Sequence, residues 1–305
     1  MSSPDYPSMA RKLLEASGES AISKSSAAMD SGLYVVATPI GHLGDISLRA
    51  LWTLAHSDRI ACEDTRVSGG MLTKYGIKKP LLPYHDHNAD TMRPQILKYI
   101  ADGEAVALIS DAGMPLIADP GYKLVRACRA ANYTVTVIPG ANAALMAMAG
   151  SGLPTDSFYF AGFLPPKATG RQKAIAALRD VQATLLFYEA PQRLGAALAD
   201  LAHVLGGDRP CAVARELTKL FEETRRGSLA ELAAFYSEHA AKGEITLVVG
   251  PPLASQPALQ DVDALLKEYL TTMSLRDAVA AVSVITGIKK ADVYASALKS
   301  RSQTQ

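Results

Sequence analysis

The stretch VALISDAGMPLIADPG, Val106–Gly121, contains the pattern that decides the fold. Its first five residues, Val106–Ser110, are apolar or small, and a segment rich in Gly, Pro and Asp follows. A short apolar run with turn residues behind it is typical of a buried parallel strand. In open α/β sheets, ligands bind just beyond the carboxyl ends of such strands. The stretch therefore predicts a strand followed by either a ligand-binding loop or a tight connection to the next helix.

Similar strand–loop–helix units occur on both sides of this stretch. Repetition of this unit indicates a mostly parallel sheet with helices on its faces. Two more loops, at 38–45 and 139–144, are rich in small residues that let a backbone approach a ligand closely. None of these loops has the GxGxxG or GxxxxGK[ST] spacing, so we predict neither NAD nor ATP. The predicted strands are at 33–37, 59–62, 81–84, 106–110 and 134–138.

The length of 305 residues and the 49% hydrophobic content fit a globular chain of two domains, or of one large domain plus an appendage. We expect a disordered, serine-rich extension over 1–30, a first α/β domain over 31–152 and a second over 153–252. The segment 261–300 is predicted to be a helical, helix-turn-helix-like tail. Such a tail suits contact with nucleic acid, and packing or dimerisation is the alternative because its charge is nearly balanced.

Charge and cysteine usage exclude several classes of protein. The net charge of +1 does not by itself require a nucleic-acid partner. The three cysteines, Cys62, Cys128 and Cys211, are far apart, so we predict no disulfide framework or structural zinc and a reducing cytoplasm. No apolar run approaches the roughly 20 residues that span a bilayer, and we expect no membrane association. His85 and His87 form an HxH pair, but no third ligand is evident, so no metal is predicted.

Charged residues follow two of the predicted strands, and each group has a structural alternative. Glu63-Asp64-Thr65-Arg66 lines a ligand site or caps the next helix through Asp64 or Thr65. The group Arg215–Lys219 contacts phosphates or forms a surface ion-pair cluster. Asp45 is expected to cap a helix over 46–55. Asp119-Pro120-Gly121 is expected only to start the helix after the Val106–Gly121 stretch.

The ordered motifs TPIGHLGD, EDTR, YHDHN, SDAGMPLIADPG, PGANAA, YEAPQR, ARELTKLFEE and KGE resemble the ribosomal RNA small subunit methyltransferase I family. The resemblance covers about residues 32–250, and the helical tail is also similar. It implies an α/β fold of the tetrapyrrole-methylase type, with a cleft between two α/β domains that binds S-adenosylmethionine, plus a small C-terminal helical segment. It also implies a homodimer that methylates the ribose 2'-hydroxyl of a cytidine in the decoding region of 16S rRNA. A small-molecule methyltransferase of the tetrapyrrole type and a non-catalytic ribosome-binding protein are the alternatives.

The resemblance also assigns site residues by motif position. His42, Met114 and Asn142 depart from the family pattern, and Asn142 is expected to hydrogen-bond the cofactor or to narrow its pocket. The candidates for a catalytic role are Asp111, His85 and Lys219. The predicted cofactor contacts are Pro39, Gly41, Leu43, Asp111, Gly113, Ile117, Asn142, Ala143, Tyr188, Ala214 and Thr246. The predicted RNA contacts are Glu63, Asp64, Arg66, Arg193, Arg215 and Lys219.

Overall fold

A computed structural model describes residues 29–253 and 259–302, together with Ser8 and Lys12. Most of the predicted extension over 1–30 lies outside the described residues. The chain divides into two compact units, Met1–Pro252 and Leu253–Gln305. The first unit contains two five-stranded sheets, and the second contains three helices in its described part. The predicted boundary near residue 152 falls inside the first unit, between the two sheets.

The first sheet is parallel and has the strand order β3-β2-β4-β1-β5. This confirms the mostly parallel sheet predicted from the repeated units. Because all five strands run the same way, the loops that follow β1, β4 and β5 meet at one edge. Its strands are β1 (Gly32–Val36), β2 (Arg59–Cys62), β3 (Leu81–Pro83), β4 (Ala105–Leu108) and β5 (Val135–Ile138). Its helices are α1 (Leu48–His56), α2 (Thr65–Lys74), α3 (Ala89–Ala101), α4 (Tyr122–Ala130) and α5 (Ala143–Ser151).

The second sheet is mixed, with the order β6-β7-β10-β8-β9. Only β6 and β7 pair in parallel, and the other neighbours are antiparallel. Its strands are β6 (Phe158–Phe163), β7 (Thr184–Glu189), β8 (Pro210–Arg215), β9 (Glu223–Ser228) and β10 (Ile245–Val249). Its helices are α6 (Ala168–Ala176), α7 (Leu194–Leu205) and α8 (Leu229–Glu238).

Strand β9 was not predicted from the sequence. Its residues, ETRRGS, contain no large apolar side chain, and hydrophobic alternation is the main signal for a strand. The strand lies at the edge of the sheet, paired only with β8. Charged residues are common on edge strands because they discourage pairing with another chain.

A hydrophobic cluster joins the two sheets. Ile40 and helix α5 residues such as Met148 pack with Leu186, Ala214 and Leu217 of the second sheet and its loop. Burial of this apolar surface holds the loop edge of the first sheet against the strands of the second. Any ligand bound at that edge therefore meets residues from both sheets.

The tail forms a small helical core of its own. Its helices are α9 (Leu259–Tyr269), α10 (Leu275–Thr286) and α11 (Lys290–Ser302). Apolar side chains from all three, including Leu266, Val282 and Val293, are buried together. Gly287 ends α10 with a φ of 68°, a conformation that glycine adopts without strain.

Candidate active site

A cavity of about 310 Å³ opens where the loops of the first sheet face the second sheet. A pocket of this size, lined mostly by apolar groups with a few polar ones, is typical of a small-molecule or cofactor site. It is lined by Ile40, Ala112, Gly113, Met114, Ile117, Ala118, Asp119, Asn142, Ala143, Phe163, Tyr188, Glu189, Ala190, Pro191, Leu217, Gly243, Glu244, Ile245 and Thr246.

The loop after β4 forms one wall of the cavity with its backbone. Gly113 and Thr38 exchange backbone hydrogen bonds of 3.1 and 2.9 Å, which tie this loop to the loop after β1. The φ of Gly113 is +83°, and a Cβ there would lie 3.1 Å from Cγ2 of Ile40. Leu116 and Ala118 also have positive φ angles, of 73° and 66°. Non-glycine residues in this region are strained, and such strain concentrates at functional sites.

Gly41 allows the loop after β1 to pack against the loop after β8. A Cβ at Gly41 would lie 2.6 Å from both Cγ of Lys219 and Oγ1 of Thr218. The His42 backbone N–H donates to Oγ1 of Thr218 at 3.0 Å. Thr218 itself has a φ of 65°. The need for glycine at position 41 therefore comes from this contact between loops.

Aromatic rings form part of the opposite wall. The Tyr188 ring meets the rings of Phe160 and Phe163 edge to face, with centroids 5.0 and 5.6 Å apart. Thr246 pairs with Tyr188 on one side and with Ala214 on the other. Burial raises the pKa of the Tyr188 hydroxyl, so this phenol stays neutral near pH 7. The wall presents rings and methyl groups to a ligand, with few charges.

Asp119 brings a carboxyl group to the cavity. Burial and then the nearby Glu63 carboxylate raise the pKa of Asp119 to about 6, although a hydrogen bond with Ser110 opposes them. Burial and then Asp111 and Asp86 likewise raise the pKa of Glu63. A carboxyl group poised near neutral pH suits proton transfer. The expectation that Asp119-Pro120-Gly121 only starts a helix is therefore wrong for Asp119, whereas Gly121 is the N-cap of α4.

The carboxylate of Asp111 is directed to other loops. Its Oδ1 accepts from the Asp64 backbone N–H at 3.2 Å and lies 3.5 Å from Oγ of Ser68. Asp111 is half-buried and does not line the cavity. Asp111 therefore connects the loop after β4 to the start of α2, where the predicted RNA contacts Asp64 and Arg66 lie.

The two other catalytic candidates, His85 and Lys219, lie in different surroundings. His85 is half-buried outside the cavity lining, and its Nδ1 is buried with no hydrogen-bond partner among the described residues. Nζ of Lys219 lies 2.9 Å from Glu216 and 3.1 Å from Glu244. Burial lowers the pKa of Lys219, but its hydrogen bonds to Glu216 and then Glu244 outweigh this effect and raise the pKa overall.

Most predicted RNA contacts take part in local ion pairs. Arg66 pairs with Asp64 at 2.7 Å and holds the pKa of that carboxyl at about 2. Arg193 pairs with the buried Glu189 at 2.5 Å. Asp64 also caps α2 by accepting from the Arg66 N–H, which confirms the capping alternative.

One expected capping role is corrected, and Asn142 is a helix cap that the sequence analysis did not assign. Asp45 ends a short 3-10 turn, and Ser47 caps α1 by accepting from the Ala50 N–H at 3.1 Å. Asn142 lines the cavity, but its side-chain oxygen accepts from the Leu145 N–H at 3.0 Å. Asn142 therefore caps α5, and this oxygen is already engaged. Asp45 is not the cap because α1 begins at Leu48 and not at residue 46.

Six of the predicted cofactor contacts line the cavity. They are Gly113, Ile117, Asn142, Ala143, Tyr188 and Thr246. Pro39, Gly41, Leu43, Asp111 and Ala214 lie outside its lining. The sequence assignment missed Phe163, Asp119, Glu189 and Glu244. Asp119, Glu189 and Glu244 stand in the SDAGMPLIADPG, YEAPQR and KGE motifs, so a signal for all three existed.

Neither a metal site nor a membrane span emerges from the described residues. Over 29–253 and 259–302, no group of three or more His, Cys, Asp or Glu side chains is arranged to hold a metal ion. The His85 and His87 rings are 6.0 Å apart. In the same part of the chain, no helix is long and apolar enough to cross a bilayer.

Solved structures with this fold include tetrapyrrole methyltransferases. Uroporphyrin-III-C-methyltransferase from Thermus thermophilus aligns with a TM-score of 0.54 at 23% identity, over 72% of this chain and 94% of that one. Cobalt precorrin-4 methyltransferase aligns with a TM-score of 0.55 at 15% identity, over 72% and 94%. At these identities the likeness establishes the fold alone.

Sequence relatives are more similar. Residues 32–233 match the family model of tetrapyrrole (corrin/porphyrin) methylases, and residues 256–301 match the RsmI C-terminal HTH domain. Ribosomal RNA small subunit methyltransferase I of Mesorhizobium japonicum is 46% identical, over 87% of this chain and 91% of the relative. The protein of that name from Pseudomonas aeruginosa is 42% identical over 88% and 96%. The chain therefore belongs to the ribosomal RNA small subunit methyltransferase I family, within the tetrapyrrole methylases.

Proposed function

We propose that this protein transfers a methyl group from S-adenosylmethionine to the ribose 2'-hydroxyl of a cytidine in the decoding region of 16S rRNA. The observation that carries the proposal is the cavity, which combines a close-approaching backbone loop with a carboxyl group poised near neutral pH. Relatives that are 40–48% identical bear the name of a small-subunit rRNA methyltransferase, which supports the substrate class.

The cavity fits S-adenosylmethionine in size and in the chemistry of its lining. The exposed backbone near Gly113 and Ile117 offers hydrogen-bonding groups, and the rings of Tyr188 and Phe163 offer flat apolar contact. A related uroporphyrin-III C-methyltransferase structure is described as complexed with S-adenosyl homocysteine. When bound, the cofactor supplies an electrophilic methyl group on a positively charged sulfur.

Asp119 is the residue that we assign to proton acceptance. A ribose hydroxyl is a weak nucleophile, and a positioned base contributes typically 10²- to 10⁴-fold. As the new O–CH3 bond forms and the S–CH3 bond breaks, the hydroxyl proton passes to the Asp119 carboxylate and S-adenosylhomocysteine leaves. Among the earlier candidates, Lys219 is held by two carboxylates and Asp111 by the Asp64 backbone. We assign these two residues to positioning the loops.

We also propose that the active form is a cytoplasmic homodimer. Leu220 and Phe221 are 88% and 67% exposed, and such neighbouring large apolar side chains suit an interface between copies. Sedimentation of the wild type and of a Leu220→Ser, Phe221→Ser variant tests this. The dimer proposal fails if the wild type sediments as a monomer at micromolar concentration.

The reaction is tested with methyl-labelled S-adenosylmethionine and three substrates: assembled 30S subunits, naked 16S rRNA and a precorrin. We expect label in 30S at a cytidine 2'-oxygen, mapped by nucleoside digestion and mass spectrometry. Assembled subunits should be preferred, because single-stranded RNA is recognised through its presented shape. Methyl transfer to the precorrin alone would instead establish the tetrapyrrole alternative.

A further inference from the structure

A second pocket, of about 220 Å³, lies on the second sheet outside the cavity. We call it the guanidinium pocket. It is assembled from the end of β8, the start of β9, helix α8 and the segment before β10. It is lined by Arg215, Glu223, Arg225, Phe235, Tyr236, His239, Ala240, Ala241 and Lys242.

The charges of this pocket do not cancel. Glu223 pairs with Nε of Arg215 at 2.8 Å and with Nη2 of Arg225 at 2.9 Å. Its hydrogen bond from Arg215 lowers the pKa of Glu223, so the carboxylate is ionised at neutral pH. One carboxylate thus faces two guanidinium groups, and the exposed Lys242 adds a further positive charge. The pocket therefore attracts anions.

The geometry of Arg225 suits recognition of a phosphate beside a flat ring. Its guanidinium lies 3.9 Å above the Phe235 ring, which stacks on His239 at 4.2 Å with only 5° between the planes. This stacking holds the guanidinium plane in one orientation. A side-chain hydrogen bond with Tyr236 also holds Arg225 in place, and 40% of the Arg225 side chain remains exposed. A guanidinium fixed in this way is suited to donate its exposed N–H groups to a phosphate oxygen.

The guanidinium pocket adjoins the cavity along two strands. Lys242 directly precedes Gly243 and Glu244, which line the cavity, and Arg215 lies two residues before Leu217, which also lines it. A polynucleotide with its target ribose in the cavity would therefore pass close to this pocket.

We propose that the guanidinium pocket binds the phosphate of an rRNA nucleotide flanking the target ribose, with Arg225 and Lys242 as the contacts. This inference rests on the proposed rRNA substrate. The contact positions the strand and reads no base, because a phosphate carries no sequence information.

The test compares Arg225→Ala and Lys242→Ala with Arg226→Ala as the matched control. Arg226 is the next residue on β9, so its side chain points to the other face of the sheet, towards Gly152. Dissociation constants for 30S subunits, measured by filter binding with S-adenosylhomocysteine present, are recorded from 50 to 200 mM salt. Affinity for S-adenosylmethionine is measured by calorimetry.

We expect Arg225→Ala and Lys242→Ala each to weaken 30S binding on the order of tenfold at low salt. Each should also reduce the slope of log K against log salt by about 0.7–0.9, the value for one lost phosphate contact. Arg226→Ala should stay within about twofold of wild type at the lowest salt. Cofactor affinity should be unchanged in all three.

The salt slope identifies the loss of a phosphate contact. Cofactor affinity identifies a folding defect, because a misfolded protein loses cofactor binding as well. Because the Lys242 side chain is exposed, Lys242→Ala tests the phosphate contact without disturbing the stack of Arg225 on Phe235. Unchanged slopes in both pocket variants would overturn the inference while leaving methylation of 30S intact. If the two pocket variants show the expected loss of slope but the wild type methylates no ribose in 30S, the proposed function fails and the phosphate contact stands.

Discussion

At the edge of the first sheet, Glu63, Asp111 and Asp119 are like charges, and burial followed by their repulsion raises the pKa values of Glu63 and Asp119. At the edge of the second sheet, Arg215 and Arg225 share Glu223, and the pKa of that carboxyl is lowered. The first region favours taking up a proton, whereas the second keeps its carboxylate ionised. This difference suggests that proton transfer and RNA docking occupy separate ends of one site.

The largest effect is expected from removing the proton acceptor. Asp119→Asn keeps the shape of the side chain but cannot take up the proton, so kcat should fall by about 10²- to 10⁴-fold. Single-turnover methylation of 30S measures it, and calorimetry should show cofactor affinity within a fewfold of wild type. Asp156→Asn, at an exposed carboxylate far along the chain, is the control and should keep wild-type kcat. A kcat within threefold of wild type in Asp119→Asn would remove Asp119 from the mechanism.

The pH dependence of kcat/KM should report the titration of Asp119. Asp119 accepts a proton only when ionised, and its pKa is about 6. Below this value kcat/KM should therefore fall about tenfold per pH unit, and above it kcat/KM should be level. The charges facing it are Glu63 and Asp111, with the Ser110 hydroxyl and the Tyr188 phenol nearby. The acid limb should be absent from the residual activity of Asp119→Asn, and its persistence there would assign the limb to another group.

Removing the Glu223 carboxylate from the second region is expected to have a smaller effect, and one that strengthens a property of the protein, namely 30S binding. Glu223→Gln leaves Arg215 and Arg225 without a counter-charge, so 30S binding should strengthen severalfold at low salt. The slope of log K against log salt should steepen by up to about 0.9. Filter binding measures both quantities. Weaker binding would indicate that Glu223 orients the guanidinium groups more than it neutralises them.

The smallest effect is expected at Asn142, a neutral residue of the cavity wall. Asn142→Ala removes the cap of α5 and should lower the free energy of unfolding by about 1 kcal/mol. Urea denaturation followed by circular dichroism measures this, and Asn142→Ser should restore most of the loss. If the alanine variant instead loses cofactor affinity with unchanged stability, Asn142 contacts the cofactor as the family resemblance implied.

The parallel sheet was predictable because its strands are apolar runs bounded by turn residues. Strand β9 was not, since ETRRGS lacks the apolar alternation that identifies a strand. The same limit applies to the site. Motif order pointed to the loops around Gly113 and Tyr188, and both residues line the cavity. Motif order favoured Asp111 over Asp119, although the sequence does not distinguish the two carboxylates. The difference between them appears only when the path of the loop is known.

Local patterns and motifs in a fixed order are enough to give the alternation of strands and helices, the glycine-rich loops at one sheet edge and the family to which the chain belongs. They do not show that Asp119 lines the cavity, that Asp111 contacts the Asp64 backbone, or that Arg225 stacks on Phe235, which became visible in the folded chain. Burial and charge pairing depend on residues distant in the chain, and these set the pKa and the orientation of each group.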